Sequence, residues 1–166
     1  RYNPLEMPEA WNQLTFDDHV HDVHTKGRKS PSHLIMDAWI KGIRRLRVIY
    51  YNYVEPRFAA ELLQAAEIMG ITLRIGIEFW VRMGDRYAQM IWVPRGFEDT
   101  QGFLSFLTEE PVAAFFNKGK EVSRFQQRYV AAALQEFNRR HRDHMEKAYG
   151  FTMPLLDPAE FMAFVG

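Results

Sequence analysis

Cysteine is absent from the 166-residue chain. Disulfides, thiolate nucleophiles and thiolate zinc sites are therefore excluded. An excess of either charge is missing too, because 21 Lys and Arg balance 21 Asp and Glu. A neutral chain lacks the bulk field that draws nucleic acid, so only a local basic patch would serve that purpose. No apolar run reaches the roughly 18 residues of a membrane span. The opening residues, Arg1 to Met7, hold no signal-peptide core and no initiator Met. They read as the cut end of a longer chain, and a cytoplasmic location is the default expectation. There is no Gly-x-Gly-x-x-Gly and no Walker motif, and no Ser or Thr has a convincing set of catalytic partners. What remains is ordinary globular composition: 47% hydrophobic, 25% charged and 14% aromatic. It excludes disorder and supplies bulky core material at the length of one domain.

The order of elements predicts an α/β chain. Pro4 and Pro8 mark an irregular lead-in over residues 1–13. Leu14 to His21 reads as a strand, and Asp22 to Lys29, with Gly27, as a loop. Ser30-Pro31 supplies an N-cap and a first-turn proline for a helix to about Lys41. Leu46 to Tyr51 is a β-branched and aromatic strand. Pro56 opens a second helix that Gly70 ends, and Ile71 to Phe79 forms a third strand. Alternating strands and helices predict a parallel sheet. Gly84-Asp85 then turns the chain into a fourth strand, Tyr87 to Val93.

After Pro94 the chain reads as helical. A short helix is expected from Phe97 to Glu110 and a long stretch from Pro111 to about Tyr149, with a break near Gly119. Phe125, Tyr129, Ala132, Ala133 and Phe137 form a stripe expected to face a core, and Asp157-Pro158 caps a last helix through Phe164. The expected division is a β/α region over residues 1–96 and a helical segment over 97–166 packing on it. Three parallel strands and one antiparallel strand make a narrow sheet. An end that stays apolar through Phe161-Met-Ala-Phe-Val-Gly166 points to one part of a larger β/α barrel.

The strongest chemical signal is Asp17-Asp18-His19-Val20-His21. In an unbroken strand Asp17, His19 and His21 share one face. Two imidazoles and a carboxylate at the C-terminal end of a first strand suit one divalent metal such as Zn, Mn or Fe. Polar residues at an ordinary strand–loop junction would give the same pattern without a metal.

These motifs resemble the polymerase and histidinol phosphatase (PHP) family. That family opens with Asp-x-His-x-His, a Gly-containing loop, Ser/Thr-Pro and a helix ending in Lys-Gly-Ile/Leu. Here His21 leads through Gly27 to Ser30-Pro31 and to Lys41-Gly42-Ile43. The family's second helix ends Ala-Ala-x-x-x-Gly-Ile, and the next strand closes on Gly-Ile-Glu before a hairpin. Ala65-Ala66-Glu67-Ile68-Met69-Gly70-Ile71, Gly76-Ile77-Glu78 and the stretch Gly84 to Val93 match. The resemblance covers residues 14–93. It implies a distorted β/α barrel of the TIM type. In active members such a barrel binds up to three metal ions and hydrolyses phosphoesters. It further implies His19 and His21 as metal ligands, Asp17 as a ligand or orienting group, and Glu78 as a bridging carboxylate.

The chain departs from the family where ligands matter. The family's second strand ends Thr-Asp-His, whereas Ile49-Tyr50-Tyr51 stands here before a family-like Asn52. Tyr is a poor substitute, since its pKa near 10 makes the phenolate costly at pH 7. The hairpin strand normally supplies a His, and this one reads Tyr87-Ala88-Gln89-Met90. Two readings follow. One is a scaffold or binding module with a decayed site, carrying one metal or none. The other is a reduced metal-dependent phosphoesterase using Asp17, His19, His21 and Glu78, with missing ligands from elsewhere.

Other histidines are weaker candidates. His24 and His33 read as solvated residues near the first loop and helix. His141 and His144 lie three apart beside Arg139, Arg140 and Arg142, which disfavours metal. The basic residues from Lys118 to Lys147 leave a nucleic-acid accessory role as a third, weaker reading. Incomplete barrel edges predict a partner: the rest of a parent chain, or another copy in a homo-oligomer.

Overall fold

The computed structural model describes residues 15–165, with side chains through residue 161. The lead-in over 1–13, the proposed strand start at Leu14 and the apolar side chains after Phe161 lie outside the described residues. The chain divides into two compact units, Arg1–Gly119 and Lys120–Gly166.

The first unit is built on β1 (Thr15–Val20), α1 (Pro31–Ile40), β2 (Ile43–Tyr51), α2 (Pro56–Ile68), β3 (Thr72–Met83), β4 (Arg86–Trp92) and α3 (Thr100–Leu107). The strands form one sheet in the order β1-β2-β3-β4. The first two pairings are parallel and the last is antiparallel. The sheet is curled into a half-barrel, as the α/β reading anticipates. Each start signal acts as expected. Ser30 Oγ accepts from the His33 backbone N–H at 3.4 Å, and prolines open both α1 and α2. Gly84, at φ 61°, takes the tight corner between β3 and β4.

Alternation along β2 explains the layering. Leu46, Val48 and Tyr50 are buried and join Ile75 and Ile77 of β3 in the core. Ile35 and Ala38 of α1, with Ala59, Leu62 and Ala66 of α2, complete that layer. Each fully buried aliphatic side chain contributes about 1.5–3 kcal/mol before entropy is subtracted. The odd-numbered residues of β2 face the opposite, concave side. Phe79, Trp92, Phe97, Phe103, Phe106 and Phe115 form an aromatic group, with Phe79 and Phe115 centroids 5.0 Å apart in an edge-on contact.

Two expectations for the later helices are corrected. The helix α4 (Glu110–Glu136) runs unbroken through Gly119. The glycine is there for proximity: a Cβ would stand 2.2 Å from the Asn52 carbonyl oxygen. The irregularity falls later, in a π-helical turn at Phe137–His141, after which α5 (Arg142–Tyr149) continues and Gly150 ends it with φ 69°. The aromatic stripe does not face a core among the described residues, because Phe125 is 62% and Tyr129 71% exposed. Helical period alone marks a face without saying what covers it. Asp157 caps α6 (Pro158–Val165), its Oδ1 accepting from the N–H groups of Ala159 and Glu160. No helix among the described residues is long and apolar enough to cross a membrane.

Candidate functional site

The candidate residues gather where β1, β2 and β3 end. In register, Tyr51 lies beside Glu78 across β2 and β3. A register shift between Asp17 and Val20 interrupts β1. Such a bulge re-aims side chains, so the strict alternation expected from Asp17 to His21 does not hold. Asp18, not Asp17, lines the concave face and pairs with Arg47 at 3.5 Å. Asp17 turns onto its own strand, where its Oδ1 accepts from the His19 N–H at 3.2 Å.

His19, His21 and Glu78 do come together. The two imidazole centroids are 5.0 Å apart, and His19 Nε2 lies 3.4 Å from Glu78 Oε2. The other Glu78 oxygen accepts from Gln89 Nε2 across the hairpin. Glu78 is buried, so these contacts compensate the desolvation of its carboxylate.

His21 is held from one side only. Its Nδ1 lies 2.9 Å from the Ile49 carbonyl, which accepts a hydrogen bond and so fixes the proton on Nδ1. The Thr25 hydroxyl also reaches Nδ1, at 3.2 Å. The other ring nitrogen, Nε2, is buried without a hydrogen-bond partner among the described residues. Burial holds the imidazole below its ordinary pKa of 6.5, and the nearby Lys26 charge pushes the same way against the Ile49 hydrogen bond. Neutral His21 therefore offers a bare lone pair at Nε2.

Tyr51 stands beside His21. Its ring centroid is 5.1 Å from that of His21, and Lys26 Nζ sits 5.6 Å from the Tyr51 centroid. The Tyr51 side chain holds the Lys26 pKa above its ordinary value.

Tyr50, the next residue along the chain, points the other way. It is buried in the helix-facing core, and its hydroxyl donates to Asp22 Oδ2. Burial and this carboxylate push the phenol pKa far up, so it stays protonated. Asp22 is fully buried. Its Oδ1 accepts from the His24 N–H at 2.8 Å, while its carbonyl accepts from the Gly27 N–H at 2.8 Å. Gly27 is required in that loop because a Cβ would stand 2.1 Å from the His21 carbonyl oxygen. The sequence places Asp22 at the start of a loop and gives it no partner. The only available signal was a carboxylate between two histidines, and nothing in it shows that a core tyrosine lies opposite.

The remaining histidines lie elsewhere. His24 stacks on Phe58 with centroids 3.3 Å apart, and His33 sits in the first turn of α1. His141 closes the π-helical turn and stacks toward Phe137 at 6.4 Å. Among the described residues no group of three or more His, Asp or Glu side chains is placed to hold a metal ion. Glu78 meets Gln89 and His19 through its two oxygens, and Asp17 turns back onto its own strand.

No family model matches the chain, and no curated protein matches it. Solved structures do. An amidohydrolase from Chromobacterium violaceum, with sulfate bound and no metal, is 21% identical, with a TM-score of 0.56 over 73% of this chain and 38% of its own. A protein described as a metal-dependent phosphoesterase from Bifidobacterium adolescentis is 18% identical, with a TM-score of 0.48 over 82% of this chain and 40% of its own. A two-domain protein from Bacteroides vulgatus, described as containing a PHP-like metal-dependent phosphoesterase, is 19% identical, with a TM-score of 0.39 over 52% and 29%. The chain therefore spans well under half the length of each. What the likeness establishes is a fold, the curled α/β half-barrel that this chain has in common with the amidohydrolase structure.

Proposed function

We propose that this chain is a binding or scaffold module on a phosphoesterase-type half-barrel, without phosphoester hydrolysis of its own. The observation that carries the reading is the company kept by Glu78. A bridging carboxylate needs free oxygens, and both of its oxygens already meet Gln89 and His19. Tyr51 places a phenol beside His21, where a metal centre calls for a third strong ligand. A hydrolytic metal generates its nucleophile by lowering the pKa of bound water, which needs a closed ligand set around an open position. The partner expected for such a module is polypeptide, either the remainder of a longer chain or another subunit that covers the edges of the sheet.

A second reading is favoured by one atom. His21 carries its proton on Nδ1, toward the Ile49 carbonyl, and leaves Nε2 bare, which is how metal-binding imidazoles are oriented. With further ligands from another segment, His19 and His21 would hold one divalent metal, and its chemistry would be activation of water. An assay separates the two readings. With p-nitrophenyl phosphate and added Zn, Mn or Fe, the scaffold reading expects no turnover above buffer. Metal-dependent turnover that disappears in the His19→Ala/His21→Ala variant would establish the reduced hydrolase instead.

A further inference from the structure

The concave face of the sheet carries positive charge at the end opposite the histidines. Arg45 and Arg47 alternate along β2, and Arg74 of β3 is the register partner of Arg47. With Phe16, Asp18 and Thr72 they line a cavity of about 530 Å³. Neighbouring strands lie about 4.7–4.9 Å apart, so Arg47 and Arg74 stand side by side. Like charges in such positions destabilise a sheet unless something lies between them. Among the described residues one carboxylate lines the cavity with them. Asp18 reaches Arg47 at 3.5 Å and is itself 63% exposed, so the pair is a loose one. Three guanidinium groups against one carboxylate leave a local excess of two positive charges. The Nε of Arg47 is buried with no hydrogen-bond partner among the described residues, a cost of the kind that a ligand repays.

This cluster is distinct from the strand-end site. Between them in register lie Ile49 and Gly76. A Cβ on Gly76 would meet the side chains of Ile49, Ile91 and Val93, so that layer is packed with apolar groups. From Arg47 to Tyr51 the strand rises about 13 Å, at about 3.3 Å per residue.

We propose that this cavity binds a small, multiply charged oxyanion of the phosphate type between Arg45, Arg47 and Arg74, with the Thr72 hydroxyl as a further donor. Guanidinium forks match the oxygens of such an anion two at a time, and a partly enclosed cavity strengthens each contact. A second copy of this chain presenting the same face would set arginine against arginine, so self-association through this surface is disfavoured. The site stands whether or not the strand ends hold a metal.

The test is titration calorimetry with inorganic phosphate and pyrophosphate, against chloride at matched ionic strength. Saturable binding is expected, tighter for pyrophosphate. Arg47→Gln and Arg74→Gln are each expected to weaken it at least tenfold, while His19→Ala/His21→Ala leaves it unchanged. If the Arg47 variant fails to fold, Arg74→Gln and Arg45→Gln, both at exposed positions, are still expected to weaken binding, the latter severalfold. Heats equal to those of chloride, unchanged binding in the arginine variants, or loss in the histidine variant would each overturn the proposal. So would binding of poly-glutamate without binding of phosphate, which would assign the face to an acidic polypeptide.

Discussion

Tyr50 and Tyr51 are neighbours in β2, yet they occupy opposite faces of the sheet and do different work. Tyr50 is sealed in the core and satisfies a buried carboxylate that has no solvent to turn to. Tyr51 stands on the concave side among His21 and Lys26, partly open to water. The pair replaces the Asp-His that the family resemblance leads one to expect. Only the second tyrosine sits beside the histidines. The first has become part of the fold's polar core, together with Asp22. A two-residue departure from a motif can therefore be one change in stability and another in chemistry.

The comparison is broken most strongly at Tyr50. Tyr50→Phe keeps the ring but leaves Asp22 Oδ2 buried without its donor, which is expected to cost about 1–3 kcal/mol. Chemical denaturation reads this directly, and a loss below about 0.5 kcal/mol would mean that water reaches Asp22. Gly27→Ala attacks the same carboxylate through its loop. A Cβ that meets the His21 carbonyl has to displace backbone, with an expected cost of at least about 1 kcal/mol. An unchanged unfolding midpoint would contradict the close approach.

Tyr51 should be far more tolerant. Tyr51→Phe is expected to change stability by no more than about 0.5 kcal/mol. Tyr51→His sharpens the contrast, since it adds a third imidazole near His19 and His21. It is expected to bind zinc measurably more tightly than wild type in a competition titration with a chromophoric chelator. Equal affinity in the two proteins would show that Tyr51 is not what keeps a metal away.

The smallest expected effect is in pH dependence. The His21 pKa is lowered by burial from 6.5, so in the window below 6.5 the unfolded chain binds more protons than the folded one. Stability then falls as the pH drops below 6.5 and levels off beneath the folded pKa. In His21→Gln this part of the slope is expected to vanish, as read from urea midpoints between pH 8 and 5. A slope identical to that of wild type would place the titration elsewhere.

Much of the fold is legible in the sequence because its signals are local. Ser30-Pro31, Pro56, Gly70 and Gly84 mark turns and caps by chemistry that acts within a few residues. The gathering of His19, His21 and Glu78 is legible because strand ends of a parallel sheet converge. The bulge in β1 is not, since it depends on how β1 meets β2 rather than on β1 itself. For the same reason the partner of Asp22, 28 positions away in Tyr50, leaves no trace in the spacing. Gly119 looks like a helix breaker and is instead a contact point, because the constraint comes from Asn52 on a distant loop. The exposed Phe125 and Tyr129 show the limit of periodicity: it finds a stripe and is silent about what covers it.

In the proposed reading the strand-end site has lost its metal chemistry to Tyr51 and to the contacts of Glu78. Elemental mass spectrometry on protein purified without a metal-affinity tag or chelator, followed by equilibrium dialysis against Zn, Mn and Fe, tests it most directly. The account predicts far less than one metal per chain before dialysis and no saturable uptake after it. Near-stoichiometric metal that is lost in the His19→Ala/His21→Ala variant would contradict it.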